Sequence, residues 1–96
     1  MSVYVDELRA TPPRKEWPYR RVCRLFATSA RELHEMAGLI GLSRSWFQSC
    51  RDFPHYDLTA YARRQAIARG AVEVDRHFAA KYARRRRDAR NARKQS

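Results

Sequence analysis

Glycine, cysteine and negative charge are all scarce in this chain, and each shortage removes a class of protein. The 96 residues contain 3 Gly and 2 Cys, and 10 Asp and Glu stand against 21 Lys and Arg. There is no GxGxxG dinucleotide loop and no Walker loop, both of which need glycine where backbone amides approach phosphate. Cys23 and Cys50 cannot build a disulfide framework, and neither has the CxxC spacing of a zinc or redox site. An HExxH pair is also missing, so neither a metal nor a cofactor is expected. No apolar run reaches membrane-spanning length and no signal-peptide pattern is present, which points to a reduced, cytoplasmic protein with no membrane partner.

Positive charge is what the chain has in excess. Its formal net charge of +11 favours polyanionic partners. The excess is concentrated, because residues 76–96 hold nine Lys or Arg against one Asp, leaving twelve basic against nine acidic residues before them. A length of 96 residues suits one small domain. Residues 1–83 are expected to form it. Residues 84–96 read as an Arg-rich tail, helical or disordered, in which Arg84, Arg85, Arg86, Arg87, Arg90, Arg93 and Lys94 repel one another.

Along the chain, Val3 to Val5 is a short β-rich run ending at Asp6, where an open α/β sheet places ligand groups. Residues 7–20 carry Pro12, Pro13 and Pro18, so no regular element is expected there, and Trp17 sits among them as a binding-loop residue. Arg21 to Ala27 alternates as a strand with Cys23, Leu25 and Ala27 on one face and Val22, Arg24 and Phe26 on the other. Ser29 and Glu32 have the spacing of a capping box, and Leu33, Met36, Ala37 and Ile40 form the inner stripe of the helix it opens. Gly41 is its stop. A third short strand is expected at residues 45–48. The next helix runs to Arg69, capped by Asp57 or Thr59 and stopped by Gly70. Residues 71–74 read as a strand, Asp75 as a cap, and Phe78 with Tyr82 as the docking face of a last helix.

The most mixed stretch is Trp46 to Thr59, where aromatic, titratable and turn-forming residues meet. Aromatics interleaved with His55, Asp57 and Arg51 can build a ligand-holding cleft, but they can equally plug the end of a small core and cap a helix. The run Glu32-Leu33-His34, then Trp46-Phe47-Gln48, His55-Tyr56-Asp57 and Gly70-Ala71-Val72, resembles a family of short phage and bacterial proteins catalogued only as a domain of unknown function. The resemblance spans about residues 3–76, leaving out the Arg tail. It implies a compact fold in a phage or bacterial cytoplasm and transfers no catalytic role. Arg24 and Thr28 depart from the pattern, which commonly has histidine and aspartate there, and this weakens the case for a metal or acid–base site.

The fold class that follows is α/β: a single small domain in the order ββαβαβ with a short mixed sheet, plus a basic C-terminal helix. Two functions remain open. One is a nucleic-acid-binding accessory protein whose arginines neutralise phosphates while Trp46, Phe47 or the Trp17 loop offers stacking surfaces. The alternative is a small hydrolase or nucleotide-binding protein with Asp6, His34, His55 and Asp57 as candidate catalytic groups around one cleft, and with Arg20 or Arg63 gripping a phosphate.

Overall fold

The computed structural model describes residues 2–95, and Met1 and Ser96 lie outside them. Five strands and three helices follow one another as β1 (Val3–Val5), β2 (Arg9–Ala10), β3 (Arg21–Ala27), α1 (Ala30–Leu39), β4 (Tyr56–Leu58), α2 (Ala60–Ala68), β5 (Val72–Glu73) and α3 (Arg76–Gln95). The sheet is mixed. β3 is its hub, antiparallel to β1 and β2 along one edge and to β4 along the other, while β5 adds to β1 in parallel. An α/β domain of this order, with a basic C-terminal helix, is the class the sequence predicts.

β2 corrects the reading of residues 7–20 as irregular throughout. Arg9 and Ala10 precede the prolines and retain free backbone donors, so they continue the β1 edge along Val22 and Arg21. The two pairings are out of step, since Val5 faces Leu25 but Arg9 faces Val22. One extra residue is therefore accommodated between β1 and β2, the arrangement of a β-bulge. Asp6 fills the gap: its amide donates to the Arg24 carbonyl at 3.2 Å, while its Oδ1 accepts from the Arg24 amide at 2.6 Å. Beyond β2 the hairpin turns tightly, with Arg14 and Trp17 exchanging backbone hydrogen bonds.

The expected strand at residues 45–48 is instead a 3-10 turn over Arg44–Trp46, opened by the Ser43 hydroxyl accepting from the Ser45 amide. Only Gln48 joins a ladder, through an isolated bridge to His55. The strand lies later, at Tyr56–Leu58, because its alternation puts two large apolar side chains, Tyr56 and Leu58, into the core. Of the two cap candidates, Thr59 is the cap, its hydroxyl accepting from the Ala62 amide at 3.1 Å.

Helix boundaries follow the side chains that satisfy them. Ser29 accepts from the Glu32 amide, and the Glu32 carboxylate accepts in turn from the Ser29 and Thr28 hydroxyls, which holds it below the usual carboxylate range. Both α1 and α2 stop at a glycine with positive φ, Gly41 at 81° and Gly70 at 104°. At each, the next amide reaches back to the helix, Leu42 to Ala37 and Ala71 to Ala66, as in a Schellman stop.

The sheet is covered on both faces. Cys23, Leu25 and Ala27 meet Leu33, Met36 and Ala37 of α1 and Ala62 and Ala66 of α2 in an aliphatic core. On the reverse face Phe26 packs with Phe53 and Ala79, flanked by Tyr4 and Tyr82. α3 is held there by its first half, and the Tyr82 hydroxyl donates to the Ala27 carbonyl at 2.6 Å.

Candidate functional site

The four candidate groups do not share one cleft: His55 and Asp57 lie 3.4 Å apart, Asp57 is opposite Arg24, the partner of Asp6, in the β3–β4 register, and His34 stands apart from all three. His34 and Tyr56 lie on the α1 side of the sheet, joined by a 2.8 Å hydrogen bond, with the imidazole edge-on to Phe47. Burial, and after it the charge of Arg44, pushes the His34 pKa down, while burial pushes the Tyr56 phenol up. Tyr56 is buried within the α1-side core, and half-buried His34 satisfies its hydroxyl from the edge. His55 and Asp57 flank Tyr56 in sequence and so project to the opposite side of β4. Among the described residues no group of three or more His, Cys, Asp or Glu side chains could hold a metal ion.

Asp6 is buried, at 2% exposure, and its partner is Arg24, whose Nε donates to Oδ2 at 2.9 Å. The Arg24 guanidinium also lies over the Phe53 ring, 4.3 Å from its centroid. Arg63, a candidate phosphate ligand, is used at the same bulge, donating to the Asp6 carbonyl at 3.0 Å and to Glu73 at 3.3 Å. These three residues lock the kink between β1 and β2, so their charges are spent on architecture.

His55 is also tied at both nitrogens. Nδ1 lies 2.7 Å from the Phe53 carbonyl and Nε2 lies 3.4 Å from Asp57 Oδ1. That contact, with weaker help from the charges of Arg9 and Arg24, lowers the Asp57 pKa against the opposing effect of burial. Asp57 is ionised at neutral pH, and the contact extends its charged form to lower pH. It also lines a cavity.

That cavity, of about 500 Å³, opens between the hairpin tip and the start of α2. Trp17, Tyr19, Trp46 and Tyr61 line it with their rings, and Asp57, Glu16, Arg14, Gln48 and Thr59 supply polar groups. The Trp17 loop and Trp46, both named as stacking surfaces from the sequence, thus meet at one place. Phe47 does not join them, since it packs inward on His34 and Tyr56. Tyr61 gives no periodic signal in the sequence, where it stands between Ala60 and Ala62.

A second groove, of about 380 Å³, runs between α3 and the sheet. Lys81, Arg85 and Arg86 border it, with Tyr4, Phe78 and Tyr82 as its aromatic floor. Lys81 and Arg85 are one helical turn apart, the spacing that puts two cations on one face. Arg84 and Arg87 are exposed on the same helix, and Arg90 pairs with Asp52 in the loop after the 3-10 turn. Arg93 is exposed further along, and the side chain of Lys94 lies outside the described residues.

The helix carrying these cations is not a membrane span, because no helix among the described residues is long and apolar enough to cross a bilayer. No curated protein matches the chain. No solved structure matches it either. A protein-family model does match, over residues 3–86, which takes in every strand, the cavity under the hairpin tip and the basic first half of α3; the chain belongs to the family described as protein of unknown function (DUF4031).

Proposed function

We propose that the protein is a nucleic-acid-binding accessory protein of a phage or bacterial cytoplasm that holds a strand along the α3 groove. The observation that carries this reading is the juxtaposition of Lys81, Arg85 and Arg86 with Tyr4 and Phe78 around one groove. Cations alone would attract any polyanion, and rings alone would only bury surface. Together they match the two halves of a nucleotide, with arginine and lysine on the phosphate and ring faces for the base. Phe78 is 39% exposed although it is a large apolar residue on a docked helix. Its ring remains available at the groove.

Rings can stack only on unpaired bases, so single strands are the preferred form. Arg84, Arg87 and Arg93 extend the positive field along the helix and raise the encounter rate with any nucleic acid. Fluorescence anisotropy of a labelled single-stranded oligonucleotide at rising salt tests the proposal. Three cations on the backbone give a log–log slope of about −2, at about −0.7 per phosphate for single strands. No binding at low salt, or an affinity insensitive to salt, contradicts it.

A further inference from the structure

The cavity under the hairpin tip is separate from the α3 groove and shares no lining residue with it. Three of its rings are unusually exposed for their size, Tyr19 at 50%, Trp46 at 58% and Tyr61 at 64%. A single exposed aromatic needs no explanation, whereas several turned toward one concavity mark a binding surface. The walls are also fixed in place. Trp17 donates its indole N–H to the Arg21 carbonyl at 3.2 Å and meets Tyr19 edge-on at 5.1 Å, so the hairpin tip presents an ordered ring pair. Trp46 stands on the 3-10 turn, and Tyr61 on the first turn of α2 directly after the Thr59 cap.

The polar groups narrow the ligand further. A ring-lined cavity of this size takes a planar π-system, and a volume of about 500 Å³ is within the range for small-molecule sites. The Asp57 carboxylate is ionised and accepts hydrogen bonds only; Oδ1 lies 3.4 Å from His55 Nε2, leaving Oδ2 and the second lone pair of Oδ1, so the edge of the ring system that faces it must carry N–H groups. A carboxylate is best matched by two adjacent N–H donors. Among the nucleobases guanine has this pair, at its ring N1 and exocyclic N2, whereas adenine and cytosine offer an amino group beside an acceptor and uracil a single N–H between two carbonyls. An acceptor facing a carboxylate is repelled. Arg14, on the hairpin tip, is the lining cation and marks the end of the cavity for a phosphate, while Glu16, which also lines it, adds a second carboxylate that favours N–H donors elsewhere.

We propose that this cavity binds a guanine nucleotide, its base stacked among Trp17, Trp46 and Tyr61, its N–H edge on Asp57 and its phosphate toward Arg14. The site does not depend on α3. The same chemistry is offered by free guanosine monophosphate and by an unpaired guanine in a strand.

Tryptophan fluorescence with 5′-GMP, AMP, CMP and UMP is the direct test. Saturable quenching by GMP is expected, with the other three weaker by about tenfold, the effect of one good base contact. Trp46→Ala should weaken GMP by about tenfold through lost stacking, and its exposed position leaves the fold intact. Asp57→Asn should retain stacking while erasing the preference for guanine. Lys81→Glu with Arg85→Glu should leave GMP binding unchanged, which separates this site from the α3 groove. An oligonucleotide ending in unpaired guanine that binds more tightly than GMP, and is displaced by it, identifies the strand as the source; equal affinities identify the free nucleotide. Absence of saturable GMP binding to the folded protein, equal affinity for all four nucleotides, or full discrimination by Asp57→Asn overturns the proposal.

Discussion

The two faces of the sheet are built from neighbouring residues of the same strand yet have opposite characters. Leu25 enters a closed, mainly aliphatic core that holds one buried ring, Tyr56, and is roofed by two glycine-stopped helices. Phe26, the next residue, enters an aromatic core that a single helix covers and whose edges stay open as a groove. Closure requires that polar demands be met inside, as His34 meets that of the Tyr56 hydroxyl at 2.8 Å. An open core built of rings keeps π-surface and cations at its margin, and so can serve recognition as well as stability.

Substitutions at these two positions sharpen the contrast. Phe26→Ala should cost about 3–5 kcal/mol and Leu25→Ala about 2–5 kcal/mol in urea unfolding. Their spatial signatures should differ more than their size. Hydrogen exchange should show α3 released in Phe26→Ala while α1 and α2 stay protected, whereas Leu25→Ala should lower protection everywhere. Equal loss of protection across all three helices in Phe26→Ala would make the two faces one cooperative unit and remove the distinction.

The bulge that joins the faces comes next in size. Asp6→Ala leaves the Arg24 amide without its acceptor and the guanidinium without its counter-ion, a loss of about 2–3 kcal/mol because Arg24 retains some access to water. Asp6→Asn keeps an oxygen for the amide and should recover about half of that. If both variants are as stable as the parent, Asp6 does not hold the register.

Much of this fold is legible in the sequence where the signal is local. Ser29 and Glu32, Gly41 and Gly70, and the alternation of residues 21–27 each state their role within a few positions. β2 and β4 are two and three residues long, too short for a periodic signal, and their existence depends on pairing with β3 across long stretches of chain. The role of Asp6 is equally invisible, since it follows from a one-residue mismatch of registers. At the site, the stacking roles of Trp17 and Trp46 were readable one by one. Their convergence with Tyr61 and Asp57 needed the hairpin to fold back. Phe78 is legible as a docking residue but not as a groove residue, and Lys81 gives no signal beside the dense arginine run that follows it.

Smaller effects separate capping from site chemistry on the β4 to α2 segment. Thr59→Ala should cost about 1 kcal/mol through loss of the helix cap, and Asp57→Ala less, as judged by thermal melts. Asp57 has its pKa lowered in the folded state, so its contribution is present above the usual carboxylate value and is lost as pH falls through the folded value. The acid limb of the stability curve should therefore flatten in Asp57→Asn. Cys23 works in the other direction. Burial, with the nearby Asp6 charge, pushes its thiol up from 9.0 to about 12, so stability holds below pH 9 and declines above it as the unfolded thiol ionises. Native-state labelling should modify exposed Cys50 and spare Cys23 until unfolding.

The central claim is that α3 binds nucleic acid through a shaped groove and not through charge alone. The deciding measurement compares two charge-matched double variants for binding single-stranded oligonucleotide at rising salt. Lys81→Glu with Arg85→Glu alters the groove, whereas Arg31→Glu with Arg69→Glu alters exposed positions on α1 and at the end of α2. The groove variant should lose most of its affinity and flatten its salt slope by about 1.4, the share of two phosphates, while the control retains its slope. Equal losses in both variants, or an unchanged slope in the groove variant, would contradict the claim.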